Sequence, residues 1–155
     1  MSIGDLHAEK HETGAALDCF AQGRNSFERF LAVSPEDDDA LANIGRLFLR
    51  EGEILSKTAA EQAIDKFRQA IESLESALSH AAEDAEARND KGKALHRLGQ
   101  LYLVVGRRDE ARKTLRNAIS EYDHGLAIAP DHKVAKSGRT EAAALLAGMP
   151  SPADQ

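Results

Sequence analysis

The chain has 155 residues, 42% hydrophobic and 30% charged, a mixture that excludes a disordered polymer and fits one globular domain. Its formal charge of −6 excludes a general nucleic-acid or anionic-membrane binder, because both need a basic footprint. Ala and Leu dominate the apolar set while Val, Ile and Thr are sparse, which predicts an all-α fold. The longest apolar runs, such as 142–148, are too short to span a bilayer, and the charged amino terminus lacks the apolar core of a signal peptide. A cytoplasmic protein is the expectation.

In chain order, residues 1–12 are polar enough to fray and Gly14 weakens a helix, so a flexible amino terminus is predicted. From Thr13, the stripe Ala16, Leu17, Phe20, Phe27, Phe30 and Leu31 predicts a helix over 13–33, closed by Ser34-Pro35. Cys19 is the only cysteine, so no internal disulfide forms; between Leu17 and Phe20 it reads as a buried packing thiol. Pro35 and the acids 36–39 suit the first turn of a helix over 36–54, with Leu41, Ile44, Leu47 and Phe48 on its buried face. Thr58 and Glu61 read as a capping box for a helix over 59–80, where Ala63, Ile64, Phe67, Ala70, Leu74 and Ala77 share one side.

A helix over 84–105 turns Ala87, Ala94, Leu95, Leu98, Leu101 and Tyr102 inward, and Gly92 and Gly99, seven apart, predict a line of close helix contact. Gly106 interrupts it. Asp109 is placed to cap a helix over 109–128 that carries Ala111, Leu115, Ala118, Ile119, Tyr122 and Leu126, and Pro130 stops it. Asp131 is placed to cap a last helix over 132–147, and residues 149–155 read as a disordered tail beyond a single domain of 13–148.

Residues 98–130 resemble a tetratricopeptide (TPR) repeat. Leu98, Gly99 and Tyr102 stand at the family's Leu-Gly-x-x-Tyr spacing, Gly106 at its turn, and Ala118, Tyr122, Gly125 and Pro130 at its small-aromatic-small-Pro pattern. Ile44, Gly45 and Phe48 repeat the first motif conservatively, and Ala70, Leu74, Ala77 and Ala82 the second. The intervals Pro35 to Ala82 and Ala82 to Pro130 are 47 and 48 residues against a family period of about 34, so the repeat is elongated. The resemblance implies antiparallel helical hairpins stacked as a short right-handed solenoid, with 13–33 as a leading half-repeat and 132–147 as a capping helix.

No catalytic constellation appears. Glycines 92 and 99 lie inside a helical pattern and make no phosphate loop, and there is no Gly-x-Ser-x-Gly elbow or Cys-His pairing. His7 and His11 have the spacing of two ligands but no third, and Asp37, Asp38 and Asp39 lack the alternating oxygens and central glycine of a calcium loop, so no metal and no cofactor are expected. His80, His96, His124 and His132 read as turn or surface residues.

The resemblance therefore implies a noncatalytic protein-protein interaction module, an adaptor, scaffold or chaperone-like chain, that receives a peptide or partner helix in a concave groove lined by first helices. The position after the family glycine gives Arg46 and Gln100, and neighbouring turns add Asn43, Arg50, Lys93 and His96. Arg46, Arg50, Lys93 and Arg97 make a local basic strip suited to acidic side chains or a carboxyl terminus. The second reading is a self-assembly module, a homodimer through an apolar edge left by the truncated first repeat.

Overall fold

The computed structural model describes residues 3–151, with side chains from Glu9 onward, so the side chain of His7 in the expected His7–His11 pair and residues 152–155 of the expected tail lie outside what is described. Six helices follow one another: α1 (Ile3–Leu31), α2 (Asp38–Leu55), α3 (Ala60–His80), α4 (Ala85–Val104), α5 (Arg108–Ile128) and α6 (Lys133–Ala147). Among the described residues there is no strand.

The reason for one rod after another lies in the small residues. Ala63, Ala70 and Ala77 on α3, Ala87 and Ala94 on α4, Ala111 and Ala118 on α5, and Ala135 and Ala142 on α6 recur every seven residues and are all buried. A seven-residue ridge stays on nearly one face of a helix, so backbones approach along a whole seam. Phe67, Ile64, Leu74 and Leu115 fill the space between the seams, each fully buried and each contributing on the order of 2 kcal/mol.

The strongest contacts join α2 to α3 and α4 to α5, the two hairpins. Helix α3 then packs on α4, α1 covers α2, and α6 covers α5. Helices α2, α4 and α6 also touch in sequence, whereas α3 touches neither α1 nor α5. The stack therefore curves with α2, α4 and α6 on its inner side, a short helical-repeat solenoid. None of the helices described is long and apolar enough to cross a membrane.

Caps fix the repeat length. Asp37 accepts from the Ala40 amide at 2.8 Å, Asp84 from the Ala87 amide at 3.0 Å, and His132 from the Ala135 amide at 3.1 Å. These three N-caps lie 47 and 48 residues apart. The reversal between α4 and α5 is built on Gly106, whose φ of +81° is the left-handed conformation that glycine adopts without a Cβ clash. The Arg107 amide reaches the Tyr102 carbonyl at 2.8 Å and the Gly106 amide the Leu103 carbonyl at 3.2 Å, the paired bonds of a Schellman turn.

Several local expectations need correction. The cap of α6 is His132, not Asp131. Asp109 lies inside the first turn of α5, because the Gly106 turn puts Arg107 at the cap, and its carboxylate pairs with Arg112 at 3.2 Å instead. The Thr58–Glu61 box does not form: the Thr58 and Ala59 amides still bond to the Leu55 carbonyl, leaving Ala59 as an N-cap without a side-chain bond. Helix α1 starts at Ile3, ten residues before the expected start, since Ala8, Glu9 and Lys10 are strong helix formers and polarity alone does not end a helix. Cys19 is exposed, because α1 packs on α2 alone and leaves its other faces to water. The start of the expected tail is anchored: Met149 packs against the core and the Pro150 carbonyl accepts from Arg112 at 2.5 Å.

Candidate partner-binding groove

Superposing the repeats by their caps pairs each residue of α2 with the residue 47 positions on in α4. Gly45 then corresponds to Gly92 and Gly52 to Gly99. The contacts agree: a Cβ on Gly45 would lie 2.7 Å from Leu74 and one on Gly92 2.9 Å from Tyr122, while one on Gly52 would lie 2.7 Å from Phe67 and one on Gly99 2.7 Å from Leu115. Leu74 and Tyr122, like Phe67 and Leu115, are 48 apart. The sequence alignment of Gly45 with Gly99 is thus corrected by seven residues; two glycines per first helix let it slip by two turns.

On the inner side of the stack the corrected register produces a stripe: Asn43, Arg46, Arg50 and Glu53 on α2, and Asp90, Lys93, Arg97 and Gln100 on α4. The spacings of three, four and three residues keep each set on one helix face. Arg46 bonds Asp90 at 2.6 Å, approaches Glu86 at 3.6 Å and donates to Asn43 at 3.2 Å. Lys93, Arg97 and Arg50 converge on Glu53 at 3.1, 3.6 and 3.9 Å, and Arg97 donates to Gln100 at 3.0 Å. The expected basic strip is therefore largely neutralised from within.

The two halves of the stripe differ in charge. Burial raises the Asp90 carboxyl above the usual carboxylate range although Arg46 pulls it down; burial also lowers Arg46, but its bond to Asp90 leaves the guanidinium above its ordinary value. Arg46 and Asp90 form a matched pair that ties α2 to α4. Around Glu53, in contrast, three cations share one carboxylate, and Arg50 remains 64% exposed.

Two cavities flank the α4 part of the stripe. One of about 360 Å³ lies between α2 and α4, against Glu53, Phe67, Arg97, Gln100 and Leu101. The other, of about 700 Å³, lies between α4 and α6, where Leu103, Ala144, Leu145, Met149 and Pro150 make an apolar wall. Gln100 lines both.

His96, expected on this groove, is only 2% exposed and is corrected to a core residue. Its ring meets Tyr122 edge-on at 6.4 Å, and its Nε2 is buried without a hydrogen-bond partner. In the corrected register it stands where the first repeat has the buried Leu49. Asn89 and Glu51, both buried and not singled out from the sequence, likewise stand opposite Ala42 and Leu98. Counting 47 residues from the caps is the signal that would have found all three.

Burial, with help from Arg97 and against Glu141, lowers the His96 pKa below 6.5. The unfolded chain then takes up this proton at higher pH than the folded one, so the stability contributed by neutral His96 is present in full above about 6.5 and is lost as pH falls through the folded value. The melting temperature is expected to drop on acidification below about pH 6.5, and His96→Leu, borrowing the residue of the first repeat, removes that part of the drop. Melts of both proteins at pH 8 and at stepwise lower pH check this.

Among the described residues no group of three or more His, Cys, Asp or Glu is arranged to hold a metal ion. Residues 59–101, α3 and most of α4, match the family model described as Tetratricopeptide repeat. No curated protein sequence matches the chain. Among solved structures, one described as "Crystal structure of MamA" is 18% identical, with 93% of this chain and 94% of that chain covered at a TM-score of 0.24. Residues 59–101 thus carry a tetratricopeptide-repeat likeness within a TPR-like stack of paired helices, and repeats of this kind serve in protein-protein interaction.

Proposed function

We propose that this chain is a noncatalytic interaction module of the cytoplasm that receives a peptide or partner helix on the concave face of α2, α4 and α6. The observation that carries the reading is the polar stripe repeated at 47 residues on the inner helices, bordered by two cavities that meet at Gln100. Arg50, Lys93, Arg97 and Gln100 would contact the partner, while Arg46 and Asn43 hold the stripe in place. The self-assembly alternative finds less support. The exposed residues of α1 are mostly polar, among them Asp18, Gln22, Asn25, Glu28 and Arg29, with Phe30, 50% exposed, the large apolar exception among the described residues of the helix.

Arg50→Glu combined with Gln100→Glu is expected to weaken capture of the native partner by on the order of tenfold, because the reversed charge at 50 and the added negative charge at 100 repel the acidic groups that Arg50 attracts. Lys113→Glu combined with Arg116→Glu, on the exposed outer side of α5, leaves capture unchanged. Equal loss from both pairs, or from the outer pair alone, contradicts the reading.

A further inference from the structure

The convergence at Glu53 has an odd stoichiometry. Lys93 Nζ, Arg97 Nε and Arg50 Nη1 surround one carboxylate at 3.1, 3.6 and 3.9 Å, and among the described residues none of the three has another carboxylate within 4 Å. The cations at Glu53 outnumber its single carboxylate, at a site that is partly shielded from water, with Lys93 28% and Glu53 24% exposed. The corresponding position in the second repeat carries Gln100, not an acid, so Glu53 is not a requirement of the repeat. The paired site one turn away, Arg46 with Asp90, is by comparison a closed 2.6 Å contact.

Beside this cluster lies the cavity to which Leu103, Ala144, Leu145 and Met149 give an apolar wall, and which Arg108 and Glu141 also line. Gln100 borders both, so the two sites sit on opposite flanks of α4, about 10 Å apart, the diameter of a helix with its side chains. Three residues of extended chain in the polyproline II conformation, at roughly 3.1 Å each, cover that distance and bring side chains three positions apart back to one face.

We infer that Glu53 is a resident competitor: the groove takes an extended peptide segment whose carboxylate replaces Glu53 among Arg50, Lys93 and Arg97 while an apolar side chain three residues away fills the cavity between α4 and α6. This rests on reading the concave face as the partner groove. The positive excess favours an incoming carboxylate, and the apolar wall favours a greasy neighbour; neither suits a nucleic acid, whose phosphates repeat without an apolar anchor. Glu53 lowers affinity for the acidic group and in exchange offsets the mutual repulsion of the three cations when the groove is empty.

The test is a titration of the full chain, followed by amide NMR, with two eight-residue peptides on a Gly-Ser background: one with Glu and Leu three positions apart, the other with Gln in place of Glu. The Glu peptide is expected to shift the amides of Lys93, Arg97, Gln100 and Leu145, and Glu53→Gln to bind it about three- to tenfold more tightly than the native chain does. Lys93→Gln, should Glu53→Gln fold poorly, is expected to weaken it by a similar factor. Shifts in the groove that are the same for both peptides and unaffected by Glu53→Gln or Lys93→Gln overturn the exchange while leaving the groove reading intact. Shifts confined to residues outside the concave face, or no shifts with either peptide, overturn both.

Discussion

Replacing Glu51 with alanine is expected to cost about 3 kcal/mol and to loosen α1 before the rest of the stack, because it removes the one anion between two partly buried cations. Glu51 is 2% exposed. Arg24 of α1 reaches its Oε1 at 2.9 Å through Nη2 and 3.3 Å through Nε, and Lys66 of α3 reaches Oε2 at 2.9 Å. The Lys66 contact is an ion pair set off the hydrogen-bond axis, which leaves Oε2 without a true donor. Both cations also lie over the Phe48 ring, at 4.3 and 5.2 Å from its centre. A carboxylate this deep is held only by such compensation, and its removal leaves Arg24 and Lys66 facing each other across an aromatic ring with no counter-charge. Among the described residues helix α1 touches no helix but α2, so this cluster, with Leu47 against Gly23, is much of what fastens it. Hydrogen exchange is expected to show the largest loss of protection in the half of α1 after Leu17, with α4 and α5 nearly unchanged. A uniform loss across all six helices would mean that the cluster supports the whole stack and not the leading helix.

Gly99→Val is expected to destabilise by about 3 kcal/mol, while Gly14→Ala stabilises slightly. A Cβ at 99 would stand 2.7 and 2.8 Å from Leu115 Cγ and Cδ2, inside the α4–α5 seam, and a branched side chain forces those two helices apart. A Cβ at 14 meets nothing within 4 Å, so there the only effect is the lower entropy of the unfolded chain. Chemical denaturation of the two variants measures both, and Gly52→Val, at the equivalent place in the first repeat against Phe67, is expected to match Gly99→Val within about 1 kcal/mol. Opposite rankings of 99 and 14 would break the packing account.

These two sites also show how far the sequence could be read. The hairpins were visible because a 3.6-residue stripe and a glycine reversal are local signals, and Ala118, Tyr122 and Gly125 carried the family likeness of the second helix directly. The register of the first helices was not, because Gly45 and Gly52 are seven apart and present the same face; only their partners on α3 choose between them. For the same reason the burial of Glu51, Asn89 and His96 is hidden in the sequence: their polarity marks them as surface, and the repeat period that marks them as core becomes available once the caps Asp37 and Asp84 are aligned. Thr58 had the right chemistry for a cap in the wrong backbone, since the end of α2 already used its amide. The groove cations follow from the family resemblance, which says nothing of Glu53, an acid whose importance comes from Lys93 and Arg97, residues about forty positions away that the fold brings to it.

The most direct test of the concave face as the site of partner contact is site-specific photo-cross-linking in the native cell. A photoreactive side chain at Gln100, between the two cavities, is expected to yield a discrete cross-linked protein adduct, while the same group at Asn117 on the outer side of α5 yields none. An adduct from position 117 with none from position 100 would contradict the account.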